Sequence, residues 1–255
     1  MCGICGVVLD GRKRTQAEWA DIKLTIARAL VATQSRGMDA TGLFTVSTAN
    51  GVNYEKQSGP AHEFITSEAF WDSLADIDEN TVAIVGHCRL ATHGSCTVDA
   101  NNHPLVDGNI VGVHNGVLAN HADLGRRYKS LAEVDSASAM AAIRAKSPDG
   151  ITNQTMRASL QEMRGTFALV VADSRATDGI WVARNTYSPL VFSRDAKRGL
   201  FWLASTQAIL QSAVGATNSF SLPHDHFGFV TGKAASTHVA WEPTYEHNDR
   251  PRDPI

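Results

Sequence analysis

Short apolar runs arrive in pairs along this chain, and stretches of helical spacing arrive in groups between them. That alternation constrains the fold more than any other feature. A doubly wound parallel sheet needs a crossover helix after each strand, whereas paired runs joined by short turns pair antiparallel. Residues 4–9 form an apolar run closed by Asp10-Gly11, the pattern of a strand ending in a turn. Trp19, Ile22, Ile26 and Leu30 recur at helical spacing and predict an amphipathic helix over 16–33. Runs at 41–48 and 52–56 flank Ala49-Asn50-Gly51 as in a hairpin. Residues 62–76 read as helix, and 82–89 and 109–114 as buried strands. Helical patterns follow at 121–131, 135–146 and 153–164, then strands at 167–172, 180–185, 190–193 and 200–204. A short helix at 205–212 precedes weaker strand signals at 227–231 and 236–241. The expectation is an α+β fold of two mostly antiparallel sheets covered by helices.

No repeat or linker divides the 255 residues, so 1–241 is expected to form one domain. Residues 242–255, with three prolines and many charges, read as a disordered or docking tail. A net charge of -3 argues against nucleic acid or an anionic membrane as partner. No apolar run approaches the ~20 residues of a membrane span, and the start lacks the basic and apolar regions of a signal peptide. A cytoplasmic protein is the expectation. There, Cys2, Cys5, Cys88 and Cys96 fit free thiols, metal ligands or catalytic groups better than disulfides.

Cys2 stands directly behind the initiator methionine. Removal of Met1 leaves one residue carrying both a thiol and a free α-amine. A thiol needs a base to become a thiolate, and an α-amine titrates near pH ~8, low enough to act as that base. Nucleophile and base then share one residue.

Three polar stretches sit at the ends of predicted elements, where a rigid scaffold presents a tunable loop. They are Ser35-Arg36-Gly37-Met38-Asp39-Ala40-Thr41-Gly42, Gly86-His87-Cys88-Arg89-Leu90-Ala91-Thr92-His93-Gly94, and Val113-His114-Asn115-Gly116-Val117. With Cys2-Gly3-Ile4 at the terminus and Asn101-Asn102-His103-Pro104 between, the order of motifs resembles the glutaminase domain of class II glutamine amidotransferases. The look is closest to the domain that begins glucosamine-6-phosphate synthase, and it runs over roughly residues 2 to 232.

The resemblance implies an N-terminal-nucleophile fold, a four-layer αββα sandwich, and hydrolysis of the glutamine side-chain amide through a γ-glutamyl thioester on Cys2. By the same resemblance, Asn115 and Gly116 match the oxyanion hole. Arg89 matches the arginine that pairs with the α-carboxylate, and Asp135 the acid that pairs with the α-ammonium. Asp135 without the family reads as a helix N-cap, and Asn115-Gly116 as a type I′ turn. Thr92 and His93 match positions lining the glutamine pocket. Arg36, Gly37 and Asp39 match a loop that supports the nucleophile, where Arg36 is expected to favour the thiolate. The motifs at 184–190 and 204–206 read as scaffold. No cofactor and no metal are implied.

The chain departs from the pattern at Leu90, where glucosamine-6-phosphate synthase has a tryptophan; Arg-Leu-Ala is more like asparagine synthetase. No synthase segment follows, so the ammonia is expected to go to a separate synthase partner. Alternatives are a stand-alone hydrolase of another γ-glutamyl compound, a zinc or redox protein using the four cysteines, and an inactive interaction module on the same fold.

Overall fold

Two antiparallel sheets stack face to face with helices on both outer sides, in a computed structural model that describes residues 2–185 and 187–232 and the backbone of 239–240. One sheet has seven strands. Their spatial order is β11 (Phe220–Ser221), β9 (Val191–Asp195), β10 (Leu200–Ala204), β1 (Gly3–Leu9), β4 (Thr81–Arg89), β2 (Ala40–Ser47) and β3 (Gly51–Ser58). The other has six: β13 (Val239–Ala240), β12 (His226–Val230), β8 (Ala176–Arg184), β7 (Gly165–Asp173), β6 (Ile110–Leu118) and β5 (Leu105–Asp107). Neighbouring strands run antiparallel throughout.

Helices α1 (Gln16–Thr33), α2 (Ala61–Phe64), α3 (Glu68–Ser73) and α7 (Gln207–Val214) cover the seven-stranded sheet. Ile22, Ile26, Leu30, Phe64, Phe70 and Leu210 pack there on Cys5, Val7, Cys88 and Trp202. Helices α4 (His121–Tyr128), α5 (Asp135–Lys146) and α6 (Asn153–Glu162) cover the six-stranded sheet, with Leu124, Met140, Ile143, Met156 and Leu160 on Leu169, Val171 and Phe227. Between the sheets, Ile4, Val8, Phe44 and Val85 meet Val113, Val170 and Val182. Inner strands are therefore buried on both faces, which is why β1 reads as a near-continuous apolar run and even the threonines and serine of β2 are buried. This is the αββα sandwich expected from the sequence.

Local signals explain most boundaries. Thr15 and Glu18 form a capping box that starts α1: Thr15 Oγ1 accepts from the Glu18 amide at 3.3 Å, and Glu18 Oε2 accepts from the Thr15 amide at 2.7 Å. The expected helix over 62–76 is instead two short ones. Ser67 caps the second, its hydroxyl accepting from Phe70 N at 3.2 Å. The strand expected to end at His114 continues to Leu118, so Asn115 and Gly116 pair with Ala168 and Phe167 inside a ladder and make no type I′ turn. Every residue of α5 from Asp135 to Ile143 is buried, and its alanines and serines let α4, α6 and the sheet approach closely. The strand signal at 236–241 meets β13 at 239–240, and the tail at 242–255 lies outside the described residues. Among the described residues no helix is long and apolar enough to cross a membrane.

Candidate active site

Cys2 lies just before β1, the strand that runs between β10 and β4. Gly3 pairs with Cys88, so Cys2 comes to the exit of β4. Its sulfur sits 3.3 Å from the Leu90 amide nitrogen and 3.4 Å from the Leu90 carbonyl oxygen. Burial pushes the thiol above its ordinary range; Asp135 adds to the rise, while the Leu90 backbone contact and the Arg89 charge oppose it. Arg89 and Asp135, far apart in sequence, thus both bear on the Cys2 thiol.

The loop after α1 braces this corner. A 3-10 turn at Gln34–Arg36 delivers Arg36, whose Nε donates to the Cys2 carbonyl at 2.8 Å. The Asp39 amide donates to Arg89 O at 3.0 Å, and its carboxylate accepts from the Ala91 amide at 2.6 Å. Gly37 has an extended backbone that any residue adopts. Its reason is space: a Cβ there would land on the Arg89 carbonyl and the Leu90 nitrogen. The 36–39 loop therefore fixes the segment against which the sulfur rests. Arg36 thus holds the main chain of Cys2, and its charge interacts favourably with the thiolate, as expected of it, while burial remains the largest influence on the thiol.

Arg89 is the last residue of β4 and is 3% exposed. Nη1 donates to Asn102 Oδ1 at 2.8 Å, and Nη2 donates to the carbonyls of His93 and Gly94, the latter at 2.9 Å. Among the described residues no carboxylate pairs with it or neutralises its charge.

Asn115 comes from β6 of the other sheet. Its Nδ2 donates to Ser205 Oγ at 3.3 Å, and the same hydroxyl accepts from Ile4 N at 2.8 Å. The Ser205 amide returns a bond to Ile4 O at 2.9 Å. Ser205 therefore ties the strand behind Cys2 to the Asn115 carboxamide across the two sheets. Gly116 has φ +145, and a Cβ would collide with the Thr166 carbonyl, so only glycine fits. β5 pairs with β6 as far as Gly112, which leaves the edge of β6 beyond it unpaired by that strand. There Asp135 Oδ2 accepts from the Leu118 amide at 2.8 Å. Asp135 is the first residue of α5 and does not cap it; the N-cap position belongs to Val134.

The loop after β4 carries Thr92 and His93, both exposed. His93 Nδ1 lies 3.3 Å from Thr92 Oγ1, and its ring is 5.1 Å from that of His121. A groove of about 710 Å³ lies among α1, α7, β9 and β10 and is lined by none of these residues.

Residues 87–212 match a family described as a glutamine amidotransferase domain. Glutamine–fructose-6-phosphate aminotransferase (isomerizing) of Pectobacterium atrosepticum is 30% identical over 217 residues, 82% of this chain and 32% of that protein. The enzyme of the same name from Thermococcus kodakarensis is 30% identical over 200 residues, 75% of this chain and 30% of its own length. The chain belongs to the class II glutamine amidotransferases. It spans about a third of the length of these curated relatives. Among solved structures, the glutamine phosphoribosylpyrophosphate amidotransferase of B. subtilis, complexed with ADP and GMP, superposes over 94% of this chain and 49% of its own. That match has a TM-score of 0.71 at 18% identity and shows the shared fold.

In this amidotransferase domain the structure gathers Cys2, Arg36, Gly37, Asp39, Arg89, Asn115 and Asp135 about one corner where the two sheets meet. The Thr92 and His93 side chains stand on its outer loop. Ser205 and Asn102 escaped the sequence reading as working residues. Ser205 lies ninety positions from Asn115, so its motif at 204–206 read as scaffold without disclosing that partner, and Asn102 is the variable residue of its motif and carried no local signal. The zinc reading finds no support: Cys5 and Cys88 face α1, and among the described residues no three His, Cys, Asp or Glu side chains converge as ligands.

Proposed function

We propose that this domain hydrolyses the side-chain amide of L-glutamine, with Cys2 as nucleophile after removal of Met1. The carrying observation is the charge pattern around the sulfur. Arg89 directly precedes Leu90, whose amide lies 3.3 Å from the sulfur, and Asp135 holds the Leu118 amide two residues beyond Gly116; neither is neutralised by an opposite charge among the described residues. They suit the α-carboxylate and α-ammonium of an amino acid whose side chain reaches the thiol.

Because burial keeps the thiol high, the reaction needs a base, and the α-amine of Cys2 supplies it directly or through water. The thiolate attacks the amide carbon. The oxyanion is held by Asn115 Nδ2 and the Gly116 amide, a type of donor worth about 3–4 kcal/mol in the transition state. The amine then gives its proton to the leaving ammonia, and water cleaves the γ-glutamyl thioester to release glutamate. Arg36, Gly37 and Asp39 keep the Cys2 carbonyl and the 89–91 segment in place, and Thr92 and His93 border the pocket.

The relatives are named as aminotransferases. We infer that the ammonia goes to a synthase that consumes it, with a separate subunit as the arrangement to test, in the cytoplasm where free thiols persist. A γ-glutamyl peptide is the second substrate to test, since it carries the same α-groups.

The test is glutamate release by purified protein. Wild type releases glutamate, Cys2→Ala does not, and a variant with one residue retained ahead of Cys2 loses activity with it. Full activity in that last variant refutes the amine as base. Pull-down with mass spectrometry checks the acceptor: one co-purifying synthase that stimulates the rate is expected.

A further inference from the structure

We propose that Asn102, latched by Lys56, is a positioning residue that aims the Arg89 guanidinium and thereby sets affinity for the α-carboxylate of the substrate. The inference rests on the glutaminase reading above and extends it to residues outside the motif positions.

Asn102 is 0% exposed, and both ends of its amide are committed. Oδ1 accepts from Arg89 Nη1 at 2.8 Å, and Nδ2 donates to the Cys96 carbonyl at 2.6 Å. Its main-chain oxygen accepts from Lys56 Nζ at 2.9 Å, and the same ammonium donates to Pro104 O at 3.1 Å. Lys56 comes from β3, the edge strand of the seven-stranded sheet. One lysine thus holds the main chain on either side of His103, and one amide reaches from there to both the arginine and the loop over the site.

Chemistry dictates the residue type. A guanidinium is a planar fork of five donors. Here Asn102 and the carbonyls of His93 and Gly94 occupy Nη donors with neutral acceptors only. A carboxylate at 102 would pair with the fork and cancel the charge the substrate needs. An apolar residue would leave a buried N–H unpaired and the guanidinium free to turn. A neutral amide fixes orientation and leaves the charge intact. Because Asn102 also grips Cys96, it steadies the loop that supplies the two carbonyl acceptors.

The test is calorimetric binding of L-glutamine in a Cys2→Ala background, where no turnover occurs. Asn102→Asp is expected to weaken binding at least tenfold, and more than Asn102→Leu does. Binding of 4-aminobutanamide, which lacks the α-carboxylate, is expected to change less than twofold. In protein with Cys2 intact, Asn102→Asp is expected to raise KM by the same factor as the binding loss, with kcat within threefold. Lys56→Met is expected to shift KM in the same direction by a smaller factor, and keeps the test open should Asn102→Asp not fold. Glutamine binding within twofold of the parent in folded Asn102→Asp, or an equal loss for 4-aminobutanamide, overturns the proposal. A Cys2→Ala protein that does not bind glutamine overturns the functional reading itself, whereas normal glutamate release insensitive to residue 102 overturns only this inference.

Discussion

Lowering the pH from 7 to 5 should strip stability from this fold through three histidines buried behind the active site. His87 Nε2 donates to the His114 carbonyl at 3.1 Å, and its ring stacks on His103 with centroids 4.0 Å apart. His114 Nδ1 lies 2.7 Å from Ser136 Oγ. Burial lowers the pKa of all three, that of His87 to about 3. Because the folded values are depressed, the unfolded chain takes up protons first as pH falls. Their stabilising contribution is therefore complete above the unfolded value of about 6.5 and is lost below it, down to about 3 for His87. Over the step from pH 7 to 5, linkage gives about 2 kcal/mol for His87 alone, an order-of-magnitude figure. His103 and His114 act in the same direction. The total is a large share of the roughly 5–15 kcal/mol available to a domain. Urea unfolding followed by circular dichroism at both pH values measures it. His87→Gln, which keeps a donor for the His114 carbonyl, should lose about 2 kcal/mol less than wild type over the same step. Equal losses in the two proteins would refute the reasoning.

Other outcomes follow from the site. Asn115→Ala should lower kcat for glutamate release by about 10²–10³-fold with little change in KM; a rise in KM at constant kcat would assign it to binding instead. Ser205→Ala removes the tie between Ile4 and Asn115, so steady-state assays should show kcat down about tenfold and urea melts a loss of about 1 kcal/mol. The kcat/KM profile should rise between pH 6.5 and 9 as an α-amine of pKa near ~8 loses its proton; a flat profile removes that amine from the chemistry.

Periodic segments were the legible part of the fold. The spacing of Trp19, Ile22, Ile26 and Leu30 gives α1 its full span, and the bounds of α5 and β10 agree with the sequence reading. β5 and β11 went unseen because three and two residues carry no periodicity. Residues 62–76 kept a helical pattern across a break that Ser67 makes by capping. Asn-Gly is a strong turn signal, yet Asn115-Gly116 stays in a strand because ladder pairing with Phe167 and Ala168 outweighs it. In the site, the residues of the ordered motifs were legible through their resemblance. Ser205 was legible only as part of a scaffold motif and Asn102 not at all, since their partners lie across sheets or loops and no local pattern encodes a long-range hydrogen bond.

β1 is hydrogen-bonded along both edges, to β10 and to β4. The strand leading from Cys2 cannot slide by one residue without disrupting two ladders and turning Ile4 away from the layer between the sheets. The loop from Leu90 to Ser95, by contrast, lies mostly open to solvent. Cys2 is thereby anchored to the layer buried between the sheets, and on the proposed reading discrimination among γ-glutamyl compounds falls to the solvent-facing side chains of Thr92 and His93.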